Sequence, residues 1–500
     1  MIKIETETDI QLLRQVALLQ EREIDQLHRR IGELVAALAK AQGQEATAAL
    51  QLELLHLNEQ LAAQRKALFG RSSERRSPPQ SSDAEKTPKP PRTGHGPRAQ
   101  AALPLVEVVH TLDAPDQICT ACGGALSEMA GQFEESEEID VVERSFQIVR
   151  HKRQKYRCAC GGCIDTALGP PKLVPGGRYS VDFAVAVAVG KYVDHVPLAR
   201  QVRQMARAGL TVESQTLWDQ LQALQRHLLP TYEALHAHVL RFPVLGADET
   251  VWPLLEKGGA KRWYAWSITT PEAVFYRVDP SRSAEAARAL LCDYTGVVVC
   301  DGYSAYQTLA SAKDRPRFTL AHCWAHVRRK FVEAEPAYPQ AKELLALVGE
   351  LFKVEAEAKE ADVPDRRSLL LSLRGQQSRL IVQAIHDWLT TQVVLPQSAL
   401  GKAIAYTLEL WPGLVRFLEN PDIPLHNNGA ERAMRGVVLG RKNHYGSKSL
   451  RGTQVAALFY SLVESAKLAG REPAAYLAEV TRRAIANPGT VTLPRDLARS

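Results

Sequence analysis

Apolar residues recur at alternating three- and four-residue steps near the start of the chain, at Ile24, Leu27, Ile31, Leu34 and Leu38 and again at Leu54, Leu57, Leu61 and Leu68, with no proline between 8 and 68. Such steps line up on one stripe of a helix, a seam for a second helix. They predict a leucine-zipper-like helical region over 8–70 that self-associates as a coiled coil. Gly32 and Gly43 interrupt the seam, and the competing arrangement is a hairpin within one chain. The pattern then breaks: seven prolines fall between Pro78 and Pro104 among Ser, Lys and Arg, which makes 71–104 a basic linker.

Residues 181–240 return to helical spacing, with Gly209 between two amphipathic segments in VRQMARAGLTVESQTLWDQL and Ser214 expected to cap the second. The span 180–240 reads as a helix-turn-helix-like DNA-binding candidate or as plain helical packing. From 242 the period changes. FPVLGAD, RWYAWSIT and AVFYRVD predict three strands, a helix follows near 283–292, then GVVVCD as a strand, a helix, and FTLAH as a strand. Leucine- and alanine-rich helical spacing over about 335–420 predicts an insertion before residues 421–455 complete the core, and 456–500 reads as a helical tail.

This order of elements fits an α/β core of ribonuclease-H-like type over 241–455, in which the first and fourth strands lie side by side. Asp248 and Asp301 close those two apolar runs and are expected to meet. Paired carboxylates repel unless a cation neutralises them, and oxygen ligands suit Mg²⁺ or Mn²⁺. Glu431, near the start of a helix in PLHNNGAERAMR, is the candidate third acid of a two-ion site. Asn428 and Arg435 share its helix face. Glu249 follows Asp248 and, on a strand, points the other way, which suits a supporting role. In HCWAHVRRKF, the cysteine and histidine three apart (Cys323, His326) have metal-ligand spacing, but His322, Cys323 and His326 are read as packing groups, with Arg328, Arg329 and Lys330 available to DNA phosphate.

Composition alters this picture in two places. The formal net charge of +6 over 500 residues is weak, but six Arg or Lys lie between Arg144 and Arg157 with no acid, and six between Asn427 and Gly452 with Glu431 as the one acid. Local basic segments are what phosphate contacts need, and Arg432, Arg435, Arg441 and Lys442 are candidates. Five of the eight cysteines cluster at Cys119, Cys122, Cys158, Cys160 and Cys163. Without an apparent export signal the expected compartment is the cytoplasm, where such clustering points to metal rather than disulfide. A structural Zn²⁺ is expected in a module over 105–175, held by Cys119 and Cys122 with Cys160 and Cys163, or with Cys158 in place of one of these. The most apolar window, VDFAVAVAVGKYV, is too short to span a bilayer.

Four motifs in order, GADET, CDGYSAY, HCWAHVRRKF and NNGAERAMRGVVLGRKN, together with FGRSSE before the linker, resemble the large transposase of the insertion-sequence sixty-six family, a DDE transposase. The resemblance implies cleavage of double-stranded DNA at the terminal inverted repeats of a mobile element and strand transfer of the 3′ ends to target DNA, with Asp248, Asp301 and Glu431 as the metal-binding triad. It extends to small accessory proteins encoded beside such transposases, and to a bacterial cytoplasmic protein that sits on the nucleoid when bound to DNA. His426 stands where the family commonly has an aspartate. Two other functions fit the residues: a structure-selective nuclease without strand transfer, and a DNA-binding regulator with an inactive site.

Overall fold

The computed structural model describes residues 146–497, apart from 158–163, 167–168, 257–258 and 313–317, and scattered helical positions between 22 and 60. The proline-rich linker and Cys119, Cys122, Cys158, Cys160 and Cys163 lie outside the described residues. Strands β1 (Lys155–Arg157) and β2 (Ile164–Thr166), which flank the last three cysteines in sequence, pair antiparallel with Arg157 opposite Ile164. At the N-terminus, Arg30 reaches Glu53 at 3.4 Å, and Leu34 is buried. The Glu59 carboxylate accepts the amide hydrogen of Ala399 at 2.8 Å. Helical residues on either side of 41–49 therefore meet within one chain, as in the hairpin arrangement.

Helix α1 (Val181–Tyr192) is apolar on nearly all sides and starts at Ser180, whose hydroxyl accepts the Phe183 amide. Helix α2 (Leu198–Arg207) buries Gln201 and Met205 and exposes Arg200, Arg203 and Arg207. After the turn at Gly209 comes α3 (Ser214–Val239). Glu213, not the expected Ser214, occupies its cap position, and its side chain makes no capping bond.

Strands β3 (Val244–Glu256), β4 (Gly259–Thr269) and β5 (Val274–Asp279) form an antiparallel meander, followed by α4 (Ala284–Leu291), β6 (Val297–Cys300), α5 (Ser304–Ala310) and β7 (Thr319–His322). The sheet order is β5-β4-β3-β6-β7, with β3, β6 and β7 parallel. The first and fourth strands of this core are neighbours, as the apolar runs predicted. The first strand does not end at Asp248 as expected: it continues to Glu256 because β4 pairs with it from Gly246 to Glu256. Beyond the end of β6, the vacated edge of β3 pairs with the segment around Ser447, through Leu255 N–H to Ser447 O at 2.7 Å and Ser447 N–H to Pro253 O at 3.1 Å. Pro253 is tolerated because its position on this edge asks it only to accept.

Helix α6 (Trp324–Ala334) follows β7 and leads into the insertion, α7 (Ala341–Glu360), α8 (Arg366–Leu373), a π turn (Arg374–Ser378), α9 (Arg379–Thr391), α10 (Ala399–Glu409) and α11 (Trp411–Leu414). Except for α8, these helices share one apolar core with Val299 and Ala321 of the sheet, while Leu373 of α8 packs in a smaller cluster with Val354 and Ala358 of α7. Arg374, fully buried, clamps them: it gives two bonds of 2.8 Å to Glu355 and three more to the carbonyls of Phe417, Asn420 and Ile423. The last of these carbonyls immediately precedes the PLHNN segment.

Helix α12 (Asn428–His444) crosses the sheet, and α13 (Leu450–Leu468) and α14 (Pro473–Ala486) follow. The expected boundary at 455/456 falls inside α13, which is part of the core rather than a tail. Along α13, Ser461 and Ser465 accept the amides of Tyr276 and Val274 at 2.8 and 3.0 Å, so two serine hydroxyls satisfy the free edge of β5. Among the described residues, no helix is long and apolar enough to cross a membrane.

Candidate active site

Gly246 of β3 stands opposite Val299 of β6 in parallel register. Two residues further along each chain, Asp248 comes abreast of Asp301, just past the end of β6, where the two strands separate. The backbone fixes Asp301 closely. Its Oδ1 accepts the Tyr303 amide at 3.0 Å, and the Tyr406 hydroxyl donates to its carbonyl. The chain then turns at Gly302 with φ +90°, where a Cβ would lie 2.6 Å from Leu410 Cδ1.

The start of α12 docks over the same face. A Cβ on Gly246 would lie 2.8 Å from Asn427 Oδ1 and 3.5 Å from Ala430 Cβ, so glycine is what lets the helix approach. Asp248, two residues on, shares that face. Asn427 is the anchor: its Nδ2 donates to Ala247 O at 2.7 Å and its amide to Cys323 Sγ at 3.2 Å. Trp324 N–H donates to Leu425 O at 3.0 Å. Glu431 lies in the first turn of α12, where the helix dipole favours a carboxylate. Burial, then the neighbouring Glu249 charge, and further the charges of Asp301 and Glu431, push the Asp248 carboxyl up to about 7, against the Glu249 amide that bonds it at 2.8 Å. Asp301 and Glu431 thus both bear on the Asp248 charge, although among the described residues the three acids do not all bring their oxygens within 4.8 Å of one another. Opposed carboxylate charges are what a divalent cation neutralises.

Glu249 turns to the opposite face, as strand alternation predicts. Its side chain is 2% exposed and takes bonds from Arg282 at 2.5 and 3.1 Å and from Tyr306 at 3.1 Å. Burial raises its carboxyl while these donors pull it back down. Arg282 also stacks over the Tyr303 ring at 3.9 Å. This group underlies the turn that carries Asp301, and nothing in the local sequence patterns of 249, 282, 303 and 306 announces it.

Of the basic candidates, Arg328, Arg329, Lys330, Arg432, Arg435 and Lys442 are exposed. Arg441 is not a free phosphate contact: half-buried, it donates to Thr250 Oγ1 at 3.2 Å and to Val251 O, bracing β3. Asn428 receives a contact from His426, whose Nδ1 accepts its amide at 3.3 Å, and the His426 ring stacks on Phe352. His322 is a packing group, as expected: it is buried, bonds Cys300 Sγ at 3.7 Å, and burial lowers it to about 4. His326 departs from that reading, since its Nε2 lies 3.5 Å from Glu431 Oε1.

Residues 176–455 match the family described as Transposase IS66 family, and residues 116–161 match the zinc-finger binding domain of transposase IS66. The second match takes in Cys119, Cys122, Cys158 and Cys160 and stops short of Cys163. The uncharacterized protein y4jD of Sinorhizobium fredii is 32% identical over 406 residues, which is 78% of this chain and 78% of that protein. A second uncharacterized protein of that organism, y4hP, is 28% identical over 402 residues, 75% of this chain and 72% of its own length. A match over more than half the chain and a relative at this identity and coverage lead to one assignment: the chain belongs to the IS66 family of transposases.

Proposed function

We propose that the chain is a DDE transposase with a ribonuclease-H-like core, which binds the ends of a mobile element, cleaves there, and joins the freed 3′ ends to target DNA. The observation that carries this reading is the meeting of Asp248 and Asp301 across β3 and β6 under the start of α12, with Glu431 close enough to bear on the Asp248 charge. In this reading Asp248, Asp301 and Glu431 hold two divalent ions, Mg²⁺ or Mn²⁺. When bound, these activate the attacking oxygen and stabilise the leaving one. Asn428 supports Glu431, and Glu249, locked by Arg282 and Tyr306, holds the strand that presents Asp248. Arg432 and Arg435, exposed on α12, take the scissile region's phosphates, and Arg328, Arg329, Lys330 and Lys442 extend the basic surface. In the first step water attacks the phosphodiester and the 3′ oxygen leaves with a proton. In the second that 3′-hydroxyl attacks a target phosphodiester and expels another 3′ oxygen.

A zinc-bound module around Cys119, Cys122 and two of Cys158, Cys160 and Cys163 contributes to recognition of the ends. Self-association through the N-terminal helices brings two ends together, small accessory proteins of the same element assist, and the complex works on the nucleoid in the cytoplasm. The test is an incubation of purified protein with element-end DNA and Mg²⁺ or Mn²⁺, scored for nicking and for joining. Nicking with joining supports the transposase. Nicking alone assigns a structure-selective nuclease instead, and specific binding without nicking assigns an inactive regulator.

A further inference from the structure

His326 sits in the first turn of α6 and Glu431 in the first turn of α12, more than 100 positions apart in sequence. The two helix starts are tied together by Trp324 N–H to Leu425 O at 3.0 Å and Asn427 N–H to Cys323 Sγ at 3.2 Å. This junction fixes the imidazole and the carboxylate against each other, with Nε2 3.5 Å from Oε1. Cys323 Sγ, a ring nitrogen of His326 and a Glu431 oxygen all lie within 4.8 Å of one another. Two ligands each about 2.1 Å from one ion sit about 3.0–3.4 Å apart at common coordination angles, which is close to the His326–Glu431 separation. The other ring nitrogen, Nδ1, is buried without a hydrogen-bond partner. Without an ion, Glu431 is the acceptor that faces Nε2. An ion between them would take the place of the Nε2 proton, and since nothing engages Nδ1 the ring can carry its proton there while Nε2 presents its lone pair to the ion. Cys323 is a weaker candidate ligand, because its sulfur is buried and already receives the Asn427 amide; it anchors the junction instead.

The geometry points to a nitrogen ligand in the metal site: His326 Nε2 and Glu431 hold one divalent ion together, so that this position favours Mn²⁺ or a similar transition ion over Mg²⁺. Imidazole nitrogen suits first-row transition ions, whereas Mg²⁺ takes oxygen. The inference rests on the proposed metal-dependent reading and adds a donor to it that the three acids do not supply.

The experiment is electron spin-echo envelope modulation of the full chain loaded with Mn²⁺ alone, alongside Mn²⁺ binding isotherms with and without competing Mg²⁺. The expected result is nitrogen modulation in the wild type, absent in His326→Gln and retained in His426→Gln. The His326→Gln substitution should also weaken Mn²⁺ binding about 10- to 100-fold and leave Mg²⁺ binding nearly unchanged. Labelling the wild-type histidines with ¹⁵N shows without any substitution that the modulating nitrogen is a histidine's, because the modulation frequency must then change, and the His326→Gln comparison identifies which. Bound Mn²⁺ without nitrogen modulation, or modulation that survives His326→Gln in a folded protein, overturns the histidine ligand and leaves the carboxylate site standing. Failure of the wild type to bind Mn²⁺ at all sinks both.

Discussion

Replacing Asp248 by asparagine removes one charge from the acid cluster and keeps the side chain's shape, including an oxygen that can accept the Glu249 amide. The Asp248 carboxyl rises from 3.8 to about 7 in the folded chain. Each unit corresponds to about 1.4 kcal/mol, so the ionised carboxylate costs the metal-free fold at most about 4 kcal/mol. A raised acid binds its proton more tightly when folded. Its favourable contribution is therefore complete below the unfolded value and disappears as pH climbs through the folded one. In EDTA, Asp248→Asn should be more stable than the wild type by about 2–4 kcal/mol at pH 8, and the gap should close towards pH 4. Urea unfolding followed by tryptophan fluorescence reads this, because Trp252, Trp266 and Trp324 are fully buried around the sheet. Mn²⁺ at about 1,000 times its Kd should cancel or reverse the gap, since that excess adds about 4.1 kcal/mol to the form that binds it. A gap independent of pH, or a variant less stable than wild type at pH 8 in EDTA, would refute the charge-cluster argument.

Three further outcomes follow from particular contacts. Arg374→Met leaves Glu355 and three carbonyls without their donor and should cost about 3–5 kcal/mol of unfolding free energy, read from urea denaturation; Arg374→Lys should not restore it, because an ammonium cannot reproduce five bonds in a planar fork. Asn427→Ala strips Ala247 O of its partner, costs about 1–3 kcal/mol, and should lower cleavage far more than end binding as the start of α12 loosens; equal losses in both would contradict its anchoring role. Zinc chelation, or Cys119→Ser, should weaken binding to element-end DNA while leaving the urea transition of the core in place, and unchanged end affinity would remove the zinc module from recognition.

The strand order was legible because each core strand is a short apolar run bounded by turns, and the adjacency of Asp248 and Asp301 followed from that order. The place of Glu431 was legible as a lone acid at a helix start. What escaped depends on contacts between distant segments. The extension of β3 to Glu256 is set by β4 and by the Ser447 segment rather than by its own composition, which includes Pro253. The role of α13 is hidden because Ser461 and Ser465 look like ordinary polar helix positions until β5 lies beside them. Arg441 reads as one more basic residue in a basic stretch, yet it is committed to β3. The His326–Glu431 contact requires two helix starts to meet, which no local pattern encodes.

The most direct test of the account compares wild type, Asp301→Asn and Glu431→Gln on pre-nicked element ends whose 3′-hydroxyl is already free, with Mn²⁺ and target DNA. If one triad serves both steps, both variants bind the ends as the wild type does and neither joins them to target. Joining by either variant at the wild-type rate would contradict the assignment of Asp301 and Glu431 to the reacting centre.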